Sequence, residues 1–299
     1  MKTLLIGDNS FIGVSHLAQS RARETISRLN IPLMASIVDE AIRNGATGFS
    51  FSTHPTNQRI LQTLSEMETP PHPLDIYLML PYAEGYVRLA NERGMVGVIK
   101  HFMSNLSLRG KTKALLKGGI SAITLDPIKL LKVYTEAEIE RYLRIKPKSA
   151  TVRSVLLHEV VTDLALSFRC RELFHEYDKH IRQKLHVKPG YVTRNFAHFV
   201  EFFQESNLPM EDIVIMAPFN KAGFQMNPSR ETCEAALSSL KREPTVIAMS
   251  VLAGGYFTLD EALEYVQSLS NLSGVIVGVS STQHAHATFR TLSKLLNQS

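Results

Sequence analysis

The sequence predicts an α/β fold, a (β/α)8 TIM barrel formed by the whole chain, residues 1–299, as a single domain. Short apolar runs alternate with longer stretches of helical period, which is typical of βαβ units and a parallel sheet. These runs are almost continuously apolar, as strands covered on both faces must be. A chain of 299 residues with 44% hydrophobic residues is long enough to build the core of such a barrel.

Nine runs have strand character, which is one more than the barrel needs: residues 3–7, 48–52, 75–80, 120–125, 152–158, 187–192, 212–217, 245–251 and 274–279. The run VKPGYV at 187–192 is the weakest of them. Pro189 has no N–H to donate to a neighbouring strand, and Gly190 weakens a strand interior. On this physical argument we predict that 187–192 is a loop.

The segments between the strands carry helix signals. Ser229 stands where it can cap the helix that follows it, and Thr258 forms a capping box with Glu261. A closing helix is expected from about residue 282 to residue 296. The segment 83–119 is long for one barrel helix and predicts an extended helical region on one side of the barrel.

Composition narrows the classes of function. The net charge of +5 is spread over many segments, so nucleic acid is not the expected partner. Cys170 and Cys233 stand alone, which excludes a disulfide framework and a zinc motif and indicates a reducing compartment. The first apolar run is too short for a signal peptide, and no run has membrane-spanning length. We therefore expect a cytoplasmic protein with no membrane partner.

Two neighbouring strand ends near the C-terminus carry glycine and small hydroxyl residues. The run VIAMSVLAGGYFT contains Gly254 and Gly255, and the run GVIVGVSS contains Gly278, Ser280 and Ser281. In a (β/α)8 barrel, the loops after the last two strands and a following helix N-terminus frequently bind phosphate. These residues predict a site for a phosphate-bearing small molecule, at which Gly255→Val would crowd the backbone approach. The alternative is that they only form turns and helix caps.

The same stretches resemble the last two strand–helix units of the aldo-keto reductases, which bind the phosphate of NADP. Upstream, SVLLHEVV resembles the family's histidine-bearing strand, which places His158 at the catalytic histidine. GYVTRNFAHFVEFF resembles the strand and helix whose Ser-Asn pair holds the nicotinamide amide, here Arg194 and Asn195. The resemblance covers residues 152–296 and implies NADP(H) as cofactor. Asn220, at another strand end, is a further cofactor-binding candidate.

The first half of the chain departs from the pattern of that family. The family has an aspartate and a tyrosine in and after its second strand and a lysine at the end of its third. Here Ser52 and His54 stand at the second strand end, and Pro81 and Tyr82 follow the third. Three of the four catalytic positions therefore differ, so the resemblance supports the fold and the phosphate site more directly than the chemistry.

The resemblance also bears on the surplus strand. The family register requires 187–192 to be a barrel strand and 120–125 to be the extra run. This is the reverse of the argument from Pro189 and Gly190.

Polar residues at other strand ends are candidates for acid–base chemistry. His158 is a candidate because the side chain of histidine in general can exchange a proton near neutral pH. Asp8 follows the first predicted strand, and His54 is held extended by the proline after it. The structural alternative for each is a turn, a cap or a hydrogen-bonded residue at the edge of the core. Because side chains alternate along a strand, His158 and Glu159 are not both expected to face the cleft.

Other catalytic groups are less favoured. His16, His54, Asp126 and His158 stand on different loops and could converge on a metal, but we assign no metal site. Lys188 is the lysine that lies in a strand-like run, and it precedes a proline in the doubtful strand. A solvated loop lysine is therefore favoured over a Schiff-base nucleophile.

These observations lead to three hypotheses of function. The first is an aldo-keto-reductase-like barrel that binds a phosphate-bearing small molecule, with NADP(H)-dependent oxidation or reduction as the associated chemistry. The second is a cofactor-free lyase or isomerase that acts on a phosphorylated small molecule through His158 and an acidic strand-end residue. The third is a non-catalytic binding protein built on a barrel scaffold.

Overall fold

A computed structural model of the chain describes residues 3–13, 24, 26–67, 72–81, 126–241 and 244–296. The expected helical region at 83–119 and the candidate strand at 120–125 lie outside these residues.

Eight parallel strands close into a barrel in chain order, so the predicted (β/α)8 fold is confirmed. The closure is completed by the pairing of the first strand with the last, in which Thr3 stands opposite Gly274 and Gly7 opposite Gly278. The strands are β1 Thr3–Gly7, β2 Gly48–Ser52, β3 Leu74–Leu80, β4 Ala150–Leu157, β5 Lys188–Val192, β6 Val214–Pro218, β7 Thr245–Met249 and β8 Gly274–Gly278.

The prediction that 187–192 is a loop is wrong, because β5 pairs with β4 on one side and β6 on the other. The reason lies in the barrel interior. A side chain at Gly190 would place its Cβ 2.3 Å from Leu156 Cδ2 and 2.7 Å from Ser154 Oγ. The glycine is therefore required by close packing, and its weak intrinsic strand preference is overridden. The family register correctly predicted this strand.

The helices alternate with the strands, and the predicted caps are confirmed. Ser229 Oγ accepts a hydrogen bond from the Thr232 N–H at 3.2 Å, and Thr258 and Glu261 form the expected capping box. The helices are α1 Asn9–Ile12, α2 Ile31–Arg43, α3 Pro55–Glu66, α4 Pro127–Ile145, α5 Glu159–Ser167, α6 Arg171–His180, α7 Phe196–Glu205, α8 Arg230–Ser239, α9 Leu259–Ser268 and α10 Thr282–Leu296. In the part of the chain that the structure describes, none of them combines the length and apolarity that a membrane span requires.

The core has two layers. Inside the barrel, a buried cluster includes Leu5, Tyr77, Leu156 and Ile247. A larger layer lies between the strands and the surrounding helices, and β5 adds Tyr191 to a group of phenylalanines from α6 and α7. The rings of this group are Phe174, Tyr191, Phe199, Phe202 and Phe203. Together the two layers hold the strand ends, and so the site residues, in a rigid frame.

We expect Gly274→Ala to destabilise the barrel where β8 meets β1. The added Cβ would lie 2.1 Å from the Thr3 carbonyl oxygen and 2.6 Å from Thr3 Cβ, so the strands would have to move apart. Overpacking of this kind costs about 1–3 kcal/mol, and backbone contact favours the upper end of that range. Gly278→Ala is the control on the same strand, because its Cβ would lie 3.4 Å from Ser10 Oγ. Urea unfolding of both variants tests this, and equal losses would contradict it.

Candidate active site

A cavity of about 680 Å³ opens at the carboxyl ends of the barrel strands. This is the end at which the active sites of (β/α)8 enzymes lie. The side chains that matter chemically come from β1, β4, β5 and the loops that follow them. The described lining residues include Gly7, Asp8, Asn9, Ser50, Ser52, Met79, His158, Glu159, Val192, Arg194, Met216, Gln225, Met249, Gly254, Gly255, Ile276, Gly278 and His284.

The inner part of the lining is apolar. Met79, Met216, Met249 and Ile276 line the cavity and belong to, or pack against, the buried cluster inside the barrel. Methionine side chains are flexible and adapt to the shape of a ligand. The cavity therefore has an adaptable apolar floor with polar groups placed around it, which is the usual composition of a small-molecule site.

Asp8 is the acidic group most deeply built into this cavity. Its side chain is buried, and Oδ2 accepts hydrogen bonds from the Ser52 N–H at 2.9 Å, the Ser52 hydroxyl at 2.9 Å and Asn57 Nδ2 at 2.7 Å. Burial raises the pKa of the Asp8 carboxyl above its ordinary value, and the hydrogen bonds from Ser52 and Asn57 oppose this shift. The carboxyl group is thus held rigidly by one oxygen, and it is a stronger base than an exposed aspartate.

Asn57 is a residue that the sequence analysis missed. It lies in the first turn of α3, is fully buried, and donates from Nδ2 to the Ser52 carbonyl oxygen as well as to Asp8. This amide therefore ties the end of β2 to the end of β1. Nothing local in the sequence marks it, because its role depends on the pairing of two strands that are more than forty residues apart.

His158 also lines the cavity, from the end of β4. It is the N-cap of α5, and its Nδ1 accepts a hydrogen bond from the Val160 N–H at 3.2 Å. Because Nδ1 is an acceptor, the neutral imidazole carries its proton on Nε2. The capping bond thus orients the ring and makes Nε2 a hydrogen-bond donor.

The expectation that His158 and Glu159 do not both face the cleft is wrong, since both line the cavity. The rule of alternation applies within a strand, but β4 ends at Leu157 and α5 begins at Glu159. The chain turns between them, and both side chains reach the mouth of the barrel.

Arg194 is ion-paired with Glu159 through Nη2. Its backbone is fixed as well, because the Arg194 N–H donates to Asp163 Oδ2 at 3.1 Å and the Thr193 hydroxyl donates to Asp163 Oδ1. Burial raises the pKa of the Asp163 carboxyl, and the bonds from Thr193 and Arg194 oppose the shift. The start of the loop after β5 is therefore held by α5, the helix that carries Glu159.

Of the predicted cofactor-binding residues, Arg194, Gly254, Gly255 and Gly278 line the cavity. The four others are absent from its described lining: Asn195, Asn220, Ser280 and Ser281. For three of these four, the structure shows a local role.

The Asn195 side chain is hydrogen-bonded to Asp163. Both side-chain atoms of Asn220 bond to the Phe224 backbone, at 2.8 and 2.9 Å, and lock their own loop. Ser281 Oγ accepts from the His284 N–H at 3.1 Å and caps α10. The cap interpretation therefore describes Ser281 in the structure, and the amide groups of the two asparagines are already engaged.

The Gly254–Gly255 turn reaches the cavity with left-handed backbone angles, φ of 75° and 95°. The Gly255 N–H is used within the turn, where it donates to the Leu252 carbonyl oxygen at 2.9 Å. A Cβ at Gly255 would meet no atom within 4 Å. A Val side chain at this position would therefore extend into open space, where its crowding of a ligand stays a prediction, and the substitution would also carry the strain of a positive φ.

His54 is not among the described residues that line the cavity. It caps α3, and its Nδ1 accepts from the Thr56 N–H at 3.1 Å. In the described ranges, no three histidine, cysteine, aspartate or glutamate side chains are close enough to hold a metal ion. His284 lines the cavity from the first turn of α10 and was not predicted, because its neighbours in sequence point to no ligand.

Comparison with known proteins rests on structure alone, since no protein-family model and no curated protein matches this sequence. Two structures from Pseudomonas aeruginosa, both provisionally assigned as aldo-keto reductases, match at TM-scores of 0.56 and 0.57 with 14% and 15% identity. Each match covers 98% of this chain and 90% of the other. The glycerol dehydrogenase of Gluconobacter oxydans matches at a TM-score of 0.51 with 10% identity, over 99% of this chain and 91% of that enzyme.

The chain has the fold of these proteins. Its strand ends differ from the catalytic set that the resemblance implied. The end of β4 supplies His158, but Ser52 and Thr53 stand at the end of β2 and Pro81 follows β3. Tyr82 lies outside the described residues.

Proposed function

We propose that this protein is an enzyme that moves a proton on a small carbonyl-bearing substrate, a lyase or isomerase on an aldo-keto-reductase-like barrel. The observation that carries the proposal is that Asp8 and His158 line one cavity although they come from β1 and β4, which are separated in the barrel by β2 and β3. A substrate between them would meet a carboxylate base and an N–H donor on different sides.

The two groups have complementary roles. Asp8 takes a proton from the carbon next to the carbonyl, and the C–H electron pair moves to form an enolate. His158 Nε2–H stabilises the negative charge on the carbonyl oxygen, as a fixed donor aimed at a developing oxyanion does. For a substrate with a hydroxyl on the α-carbon, return of the proton to the former carbonyl carbon, with transfer of the α-hydroxyl proton to the former carbonyl oxygen, completes an isomerisation. For a substrate with a leaving group on the β-carbon, the enolate re-forms the carbonyl, a C=C bond forms between the α- and β-carbons, and the leaving group departs with its electron pair, which completes an elimination.

The surroundings support this chemistry. Ser52 and Asn57 hold Asp8 through Oδ2, and Oδ1 is the oxygen that we assign to accept the proton. The methionine-lined floor of the cavity disfavours water near the reacting carbon and lowers the local dielectric constant. A rigid base and a fixed donor in an apolar cavity need little reorganisation in the transition state.

We also propose that the substrate carries a phosphate. The Gly254–Gly255 turn and Gly278 bring bare backbone to the cavity, and α10 begins nearby at Thr282. A helix N-terminus and closely approachable backbone favour an anion. The phosphate would lie at the mouth of the cavity, which Arg194 also lines, away from the inner apolar floor.

NADP(H)-dependent oxidation or reduction is the second candidate, and the shared fold favours it. The described residues do not fit the cofactor well. Its several phosphates would meet a single arginine and no lysine among the described lining residues, and Ser281, Asn195 and Asn220 are committed to local hydrogen bonds. We therefore derive no catalytic step through a nicotinamide.

The two candidates are separated by incubating the protein in D2O with a panel of small hydroxy-ketones, hydroxy-aldehydes and their phosphate monoesters. We expect loss of the α-proton signal by NMR without any nicotinamide, and faster exchange for a phosphate monoester than for its parent alcohol. NADPH oxidation with no exchange would replace the proposal with the reductase. Binding of a phosphate monoester with neither reaction would support the non-catalytic binding protein.

A further inference from the structure

We propose that Arg194 is the charged anchor for the substrate phosphate and that Glu159 is an internal counter-ion with which the phosphate competes. The inference rests on the proposed function, since it takes the same cavity as the substrate site. It adds the charge state of the bound phosphate, a dianion, and it assigns Arg194 as the residue that selects for that charge. The resemblance had implied a different role for Arg194, a contact with the nicotinamide amide.

The guanidinium of Arg194 is incompletely bonded. An arginine has five N–H donors, and among the residues that the structure describes the Arg194 side chain donates through Nη2 to Glu159. Its Nε is buried and has no acceptor among those residues. A buried donor without an acceptor is unfavourable, so the resting arrangement leaves Arg194 with unused N–H donors for an anion that has several acceptor oxygens.

The charge around the cavity makes Arg194 the natural anchor. Among the described residues that line it, Arg194 is the one arginine, and lysine is not represented. Asp8 and Glu159 are the acidic side chains in the same set. Without a ligand, Glu159 neutralises the arginine, which avoids an uncompensated charge in a partly apolar cavity.

This competition selects for the charge of the ligand. A carboxylate offers the same single charge as Glu159, whereas a phosphate monoester carries about −1.5 to −2 at pH 7 and three acceptor oxygens. A phosphate can therefore displace Glu159 from the guanidinium or share the guanidinium with it, whereas a carboxylate gains little binding free energy. The anchoring of the Arg194 backbone by Asp163 keeps the side chain at the cavity while its counter-ion changes.

The test is calorimetric titration with methyl phosphate, with acetate as the monoanion. We expect Arg194→Ala to weaken methyl phosphate binding at least about tenfold and Arg194→Lys to weaken it less. Glu159→Gln should tighten binding roughly threefold to tenfold, because the competing charge is gone. Acetate should bind more weakly throughout, and methyl phosphate affinity should fall below about pH 6, where the monoester loses a charge.

The chain offers a matched control pair outside the cavity. Arg169 Nη2 lies 2.8 Å from Glu205 Oε2 in an exposed ion pair. Arg169→Ala and Glu205→Gln should leave methyl phosphate affinity unchanged. Unchanged affinity in Arg194→Ala and Arg194→Lys, with both variants folded by thermal unfolding, would overturn the inference, as would no tightening in Glu159→Gln.

The outcome is independent of the proposed reaction because it measures binding. If Arg194→Ala loses binding and the native protein exchanges no proton on any substrate, the anchor is retained and the enzyme is rejected. Proton exchange by an Arg194→Ala variant that binds methyl phosphate normally would retain the enzyme and reject the anchor.

Discussion

Replacing Asp8 with asparagine is expected to slow proton exchange by about 10²–10⁴-fold, the contribution that a positioned general base makes. The substitution removes the basic oxygen but preserves the local hydrogen bonds. The amide oxygen of asparagine can accept from Ser52 and Asn57 as Asp8 Oδ2 does. The exchange rate of the best substrate of the panel, followed by NMR in D2O, is the measurement.

The stability of the Asp8→Asn variant provides the control for folding. Because burial raises the pKa of Asp8, the folded state binds this proton more tightly than the unfolded chain. The stability that the protonated carboxyl contributes is fully present below the unfolded pKa of about 3.9 and is lost as pH rises through the higher folded pKa. We therefore expect Asp8→Asn to be more stable relative to the native chain at about pH 8 than at about pH 4.

The same raised pKa sets the acid limb of the reaction. Exchange needs the ionised carboxylate, so the rate should fall as pH drops through the folded pKa of Asp8, at a higher pH than an ordinary aspartate would give. An Asp8→Asn variant that folds and exchanges at the native rate would reject Asp8 as the base.

Replacing His158 with alanine is expected to slow exchange by about 10²–10³-fold, the loss seen when one oxyanion donor is removed. The capping bond from Val160 holds the ring at the cavity, and in the proposed mechanism its Nε2–H is the donor to the carbonyl oxygen. His158→Gln should recover part of the rate, because glutamine retains an N–H donor of similar reach. The rate constants at saturating substrate, compared across the variants, are the measurement.

His54 is the matched control for His158. Both residues are N-caps whose Nδ1 accepts from the N–H two residues ahead, at 3.1 and 3.2 Å, but His54 is not part of the described cavity lining. His54→Ala should lower the free energy of unfolding by about 1 kcal/mol, as the loss of a cap does, and leave the exchange rate unchanged. Equal loss of activity in the two alanine variants would show that capping, and not proton donation, explains the effect of His158.

Local patterns predict much of this fold because they depend on neighbours in sequence. The apolar runs mark seven of the eight strands, and the caps at Ser229 and Thr258 need only residues within one helical turn. The remaining strand, β5, could not be assigned from its own composition. Gly190 is acceptable there only because Leu156 and Ser154 of the neighbouring strand fill its space.

The candidate site likewise has residues that local sequence predicts correctly and residues that it does not. Position at a strand end was enough to single out Asp8 and His158, since the carboxyl ends of parallel strands meet at one end of a barrel, and the family resemblance added Arg194. The same reasoning also selected Asn220 and Ser281, whose side chains are used by their own loop and helix. A strand-end polar residue and a cap residue look alike in sequence, and only their contacts distinguish them.

By itself, the sequence determined the barrel, its helix caps and the end of the barrel at which the candidate site lies, because each follows from a period or a short spacing. The tertiary structure decided which polar groups share a cavity and what holds them there. Asn57 reaches Asp8 because β1 and β2 pair, and Glu159 reaches Arg194 because β4 and β5 pair. These contacts join residues that are distant in the chain, and they exist only after the strands have closed into a barrel.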